Sequence, residues 1–175
     1  MTGEFSRRSF LKYTALTTVA VAGSSLLSGC EYGYNPVQHA PGTSNVVLKV
    51  RTTLDMVEYD EESNTTLFRL VVTNGRKNAL EVTKANFAVK AEGYFAYQND
   101  KLQVIYPDSL SNQVKQGETF TYYVKAKGLN ALTDGPVTLT YYPDLQYSEF
   151  SANWELAADV LEPEPVSYTH LRAHE

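Results

Sequence analysis

Cysteine occurs once in this 175-residue chain, at Cys30, and tryptophan once, at Trp154. A single cysteine excludes an internal disulfide, so the core must hold by apolar burial alone, which is feasible at this length. Histidine is nearly as scarce: His39, His170 and His174. Zinc sites draw on Cys and His clusters, and Ser–His–Asp or Cys–His catalysis needs a positioned imidazole. His170 and His174 belong to a terminal decapeptide of different character, which leaves His39 alone in a stretch broken by Gly and Pro. No Gly-rich phosphate loop is present. Positive charge is in deficit, with 15 Lys and Arg against 20 Asp and Glu for a net charge of −5. This balance argues against a basic nucleic-acid face. No apolar run reaches the about 20 residues of a membrane span.

What is present begins at the N-terminus. Arg7, Arg8 and Lys12 form a basic region, Tyr13 to Leu27 is a mildly apolar run carrying several Thr and Ser, and Ser28-Gly29 closes it with small residues. These are the three parts of a secretory signal. The heptapeptide Ser6-Arg7-Arg8-Ser9-Phe10-Leu11-Lys12 resembles the twin-arginine translocation motif at every position. Residues 1–29 are therefore expected to be a signal peptide. Leu27-Ser28-Gly29-Cys30 resembles the lipobox of bacterial lipoproteins. That resemblance implies diacylglycerol attached to Cys30, cleavage before it, and passage through the twin-arginine translocase and the lipoprotein-processing enzymes. It would also explain the lone thiol, and two or three acyl chains suffice for stable anchoring. The expected location is extracytoplasmic, on the cell envelope.

Cleavage would leave roughly 145 residues, the size of one domain. Residues 30–45, with Gly33, Pro36, Pro41 and Gly42, read as a flexible tether. Residues 46–156 carry strand patterning, and 157–165 an acidic, Pro-containing tail. The last ten residues, Val166 to Glu175, resemble one translated frame of a transposase sequencing adapter and are set outside the fold.

Alternation in the middle segment is of period two. It runs from Val46 towards Tyr59, with Val46, Leu48 and Val50 on one face and a bulge allowed on the way. Asp60 to Asn64 reads as a turn. Alternation resumes over Phe68–Asn74, Phe87–Glu92, Lys101–Tyr106, Phe120–Lys127, Val137–Tyr142 and Phe150–Leu156, with a short strand around Leu80–Thr83. Asn74-Gly75 and Gln116-Gly117 supply turns. No segment has a convincing helical period. Seven or eight strands at this spacing predict an all-β antiparallel sandwich. Phe68–Asn74, Asn86-Phe87 and Gln116-Gly117-Glu118-Thr119 resemble an immunoglobulin-like domain of unknown function found on bacterial surface lipoproteins. The resemblance spans roughly Val46 to Leu156 and carries over no catalytic residue.

No catalytic constellation, metal set or cofactor motif emerges. Asp60-Glu61-Glu62-Ser63-Asn64 is rich in oxygen but lacks the spacing of a calcium loop, and reads as a solvated hairpin tip. The remaining signal is tyrosine, 13 in all, of which only Tyr13 and Tyr168 lie outside Glu31–Pro165. Tyr122 and Tyr141 fall on the apolar face. Tyr94 and Tyr97, with Phe95, precede Asn99-Asp100; Tyr142 and Tyr147 bracket an acidic loop. Tyr94, Tyr97, Tyr142 and Tyr147 form the candidate binding surface, since tyrosine gives contact area at low entropic cost; a tyrosine-rich sheet without a ligand remains the other reading. The expected function is a non-enzymatic, lipid-anchored binding module for a protein or glycan. The alternatives are a structural subunit of a membrane complex and a hydrolase using carboxylates alone.

Overall fold

The computed structural model describes residues 36–106 and 112–161. The expected leader of residues 1–29, Cys30 and Val166–Glu175 lie outside the described residues. Eleven strands follow one another: β1 (Thr43–Val47), β2 (Val50–Asp60), β3 (Thr65–Asn74), β4 (Leu80–Glu81), β5 (Phe87–Ala91), β6 (Tyr94–Tyr97), β7 (Leu102–Ile105), β8 (Gln113–Val114), β9 (Thr119–Lys127), β10 (Val137–Tyr141) and β11 (Ala152–Leu156). A five-stranded sheet has the order β1-β2-β3-β9-β7 and a four-stranded sheet the order β11-β10-β5-β6; β4 and β8 pair as a small ribbon. All of these pairings are antiparallel. Taking β2, β3, β9 and β7 as strands A, B, E and D, and β11, β10, β5 and β6 as G, F, C and C′, this is the immunoglobulin strand order.

The alternating residues meet between the sheets. Leu54, Phe68, Leu70 and Val72 from one sheet and Phe87, Val89, Leu139, Trp154 and Leu156 from the other are at most barely exposed. Trp154 is fully buried, as its alternation with Leu156 requires, and its Nε1 donates to Thr43 O at 3.4 Å. Phe87 and Tyr141 stack with centroids 5.0 Å apart. In β2 the register shifts between Leu54 and Met56, leaving Asp55 as the extra residue. This bulge aims its carboxylate at buried Arg69, with Nε–Oδ2 at 3.2 Å. On the face of the five-stranded sheet away from the core, Tyr123, opposite Arg69, and Lys125 are also buried. Burial holds the Lys125 ammonium below its usual pKa, with Lys127 adding to the shift and Asp60 opposing it.

Four expectations are corrected. The stretch from Val46 to Tyr59 is two strands, because Leu48 and Lys49 adopt positive φ of 50° and 62° and close a two-residue hairpin. Val47 rather than Val46 is then buried, and three consecutive apolar residues, Val46-Val47-Leu48, had left the face ambiguous. Tyr94–Tyr97, absent from the expected strands, is an edge strand paired to β5 through the Glu92-Gly93 turn with Gly93 at φ 68°. The far half of the expected tether belongs to the domain. Gln38 N donates to Asn153 O at 3.0 Å and Glu155 N to Gln38 O at 2.9 Å, a parallel bridge on the outer edge of β11. The edge has backbone groups to satisfy, and this segment satisfies them. Finally, Ala158–Leu161 of the expected tail forms one turn of helix.

Candidate functional site

One end of the sandwich gathers the β1–β2 turn, the β3–β4 loop, the β8–β9 turn and the β10–β11 loop; it is called the loop end below. Buried Asn74 organises it. Its Nδ2 donates to Asn78 O (2.9 Å) and Val114 O (2.8 Å), while its Oδ1 accepts from Arg76 N (2.8 Å). Arg76 is thereby pointed across to the β10–β11 loop, where its Nη2 donates to Asp144 Oδ2 at 2.8 Å. Asp144 also caps the 3-10 turn Leu145–Tyr147, accepting from Gln146 N at 3.0 Å. The Arg76–Asp144 pair is a ridge between two clefts. One, of about 430 Å³, is lined by Glu81, Thr83, Asn86, Leu145 and Gln146 among others. The second, of about 440 Å³, is lined by Leu48, Lys49, Lys77, Tyr147, Glu149 and Phe150.

The candidate tyrosines divide three ways. Tyr97 and Tyr142 meet edge to face with centroids 6.3 Å apart, and Phe95 joins Tyr97 at 6.3 Å. Gln98 Nε2 donates to the Tyr97 hydroxyl at 2.8 Å. This trio lies on the outer face of the four-stranded sheet, at its β6 edge. Tyr147 is exposed on the same loop as Tyr142 but faces the second cleft. Tyr94 is on the other side of β6. It packs against the core, donates to Lys127 O at 2.8 Å, and has Lys101 Nζ 4.9 Å from its ring centroid. Burial pushes its phenol up to about 12. It therefore does not share a surface with the other three. Phe95 was not among the candidates. Reading Glu92-Gly93 as a two-residue hairpin turn would have found it, because that register puts residues 95 and 97 together and turns 94 and 96 inward.

The other titratable groups are used locally. Both Asp60 oxygens are spent on its own turn, Oδ1 accepting from Glu62 N at 3.1 Å and Oδ2 from Ser63 Oγ at 2.6 Å. His39 Nδ1 lies 3.3 Å from Glu155 O on the surface. Among the described residues no three His, Cys, Asp or Glu side chains converge. Tyr106 donates to Val82 O at 2.9 Å and meets Tyr122 edge to face at 5.4 Å. The phenols of Tyr122 and Tyr141 are held above their ordinary pKa first by burial, with neighbouring tyrosines adding to the effect. These are core groups. The site's chemistry is that of contact: aromatic faces, amide and hydroxyl donors, and one structural ion pair.

Comparison with known proteins identifies no family. No family model matches the chain and no curated protein matches it. Among solved structures, the yjhA protein of Bacillus subtilis is similar at a TM-score of 0.49 and 10% identity, over 68% of this chain and 99% of that one. At that score the likeness adds nothing to the fold described above.

Proposed function

We propose that this chain is a lipid-anchored, non-enzymatic binding module of the bacterial cell envelope, with the Phe95–Tyr97–Tyr142 face as its ligand surface. The observation that carries the proposal is in the sequence. A complete twin-arginine heptapeptide from Ser6 to Lys12 precedes an apolar run that ends in Leu27-Ser28-Gly29-Cys30, and Cys30 is the only cysteine. The ligand surface is supported by the exposed aromatic pair Phe95 and Tyr97 on an edge strand. Aromatic side chains of this kind contribute much of the energy at recognition surfaces. The expected ligand is a protein or a glycan.

The anchor is tested by metabolic acyl labelling. Cys30→Ser abolishes the label and releases the domain from membranes or leaves the precursor uncleaved; labelling at the wild-type level would refute the proposal. The route is tested by the charge-conserving double variant Arg7→Lys, Arg8→Lys. A twin-arginine signal loses export in that variant, whereas export at the wild-type level would indicate the general secretory route.

A further inference from the structure

We infer that the loop end of the sandwich is a membrane-docking face, seated on the anionic phospholipid headgroups of the bilayer that holds Cys30. The inference rests on the lipidation reading above and adds to it an orientation. Its starting point is where the chain enters the domain. Gln38 pairs with β11 in parallel, opposite Trp154, so the segment runs from the loop end towards the far end as β11 does. Pro36 O accepts from Asn45 Nδ2 at 3.2 Å, which places the entry point beside β1, three residues before the β1–β2 turn begins at Leu48. The polypeptide therefore arrives from the loop-end side.

The leash is short. Cys30 and Pro36 are six residues apart in the sequence, and a fully extended chain reaches about 3.3–3.6 Å per residue, or about 20 Å in all. The opposite tip, Asp60–Asn64, closes the far end of β2, an 11-residue strand that spans about 36 Å at its usual rise. The leash cannot pass along the domain to set that tip on the bilayer. The loop end is the end within reach.

The side chains at the two ends fit the same orientation. At the loop end, Leu145 and Tyr147 are 46% and 49% exposed, and Val37 on the entering segment is 44% exposed. Apolar and aromatic groups of this kind favour the headgroup region. Lys49, Arg76 and Lys77 surround the cleft beside Tyr147, with Glu149 as its acid and Asp144 committed to Arg76. Lys115 lies in the β8–β9 turn, where Glu118 Oε2 accepts its backbone N–H at 2.8 Å, and Glu81 lines the other cleft. The cations and acids named at this end balance, four of each. The far tip itself carries Asp60, Glu61 and Glu62 in succession; the nearest cations are on the neighbouring strand, Lys127 opposite Thr65 and Lys125 within reach of the Asp60 charge. A leaflet of anionic lipid attracts lysines near its surface and repels that tip. Docked this way, the domain leaves Phe95 and Tyr97 on its flank, open to a ligand, with Tyr142 where the β10–β11 loop begins at the rim of the docked face.

The test uses the full-length protein, lipidated in the cell, purified in detergent and reconstituted into vesicles of phosphatidylcholine and phosphatidylglycerol. Lipidation blocks Cys30, so an introduced cysteine is the only reactive thiol. A polarity-sensitive fluorophore is attached at Leu145→Cys or, separately, at Glu62→Cys, and a headgroup spin-labelled lipid serves as quencher. The inference expects a blue shift and strong quenching at position 145, neither at position 62, and loss of the quenching at 145 when Lys49→Glu and Lys77→Glu are added. Trp154 emission checks that each variant is folded. Equal quenching at both positions, greater quenching at 62, none at either, or quenching at 145 untouched by the two lysine reversals would overturn it. Failure of the lipidation reading is separately visible: the wild-type protein would then react with the thiol reagent at Cys30.

Discussion

Tyr141 is enclosed on every side, and its hydroxyl finds no protein hydrogen-bond partner. A buried hydroxyl without a partner costs about 1–3 kcal/mol of desolvation, and the ring gains this back by stacking on Phe87. Tyr141→Phe keeps the ring and removes the cost. Denaturant unfolding of the variant should give unchanged stability or a gain of up to about 1 kcal/mol, and a loss of that size would mean that the hydroxyl is held. Tyr94 is the opposite case, a phenol whose hydroxyl is used. Its folded-state pKa, raised by burial from 10.0 to about 12, exceeds the unfolded value. Neutral phenol is favoured in the fold, so its stabilisation is complete below pH 10 and is lost as pH rises through about 12. Stability measured over that window should fall more steeply in the wild type than in Tyr94→Phe. Parallel slopes would show that Tyr94 contributes nothing to alkaline unfolding. The inward positions of Tyr141 and Trp154 were legible from alternation. The burial of Arg69 was not, because nothing local marks that a bulge will aim Asp55 at it.

Elements were legible where alternation was long and bounded by turn residues, as in β3, β9 and β10. They were missed where a turn lacked glycine, as at Leu48-Lys49, or where no polar residue marked the alternation, as in Tyr94-Phe95-Ala96-Tyr97. The segment through Gln38 was hidden for another reason. A single parallel bridge imposes no period on the sequence, and Pro36, Pro41 and Gly42 around it look like a linker. Its contribution can be measured. Gln38→Pro removes the N–H donated to Asn153 O, and loss of one such bond on an edge costs about 1–2 kcal/mol. Unfolding followed by Trp154 emission should show that loss in one cooperative step. Wild-type stability in the variant would return the segment to the tether, lengthen the leash, and remove the constraint that orients the domain. The candidate site was partly legible. The sequence left open whether the tyrosine clusters converge: Tyr97 and Tyr142 meet and Tyr94 stands apart, since grouping residues by nearness in sequence ignores that neighbours on a strand face opposite ways.

At the scale of the molecule, three features underlie the proposal: an N-terminal stretch that resembles an export signal and ends at a lone cysteine, an entry segment that approaches from one end, and an aromatic face left on the flank. The first of these is central, because without an acylated Cys30 there is no leash to orient and no membrane to face. The mass of the mature N-terminal peptide tests it most directly. Protein extracted from membranes and digested should give a terminal peptide beginning at Cys30, carrying the mass of a thioether-linked diacylglycerol and lacking residues 1–29. A terminal peptide that begins elsewhere, or one in which Cys30 keeps a free thiol, would contradict the account.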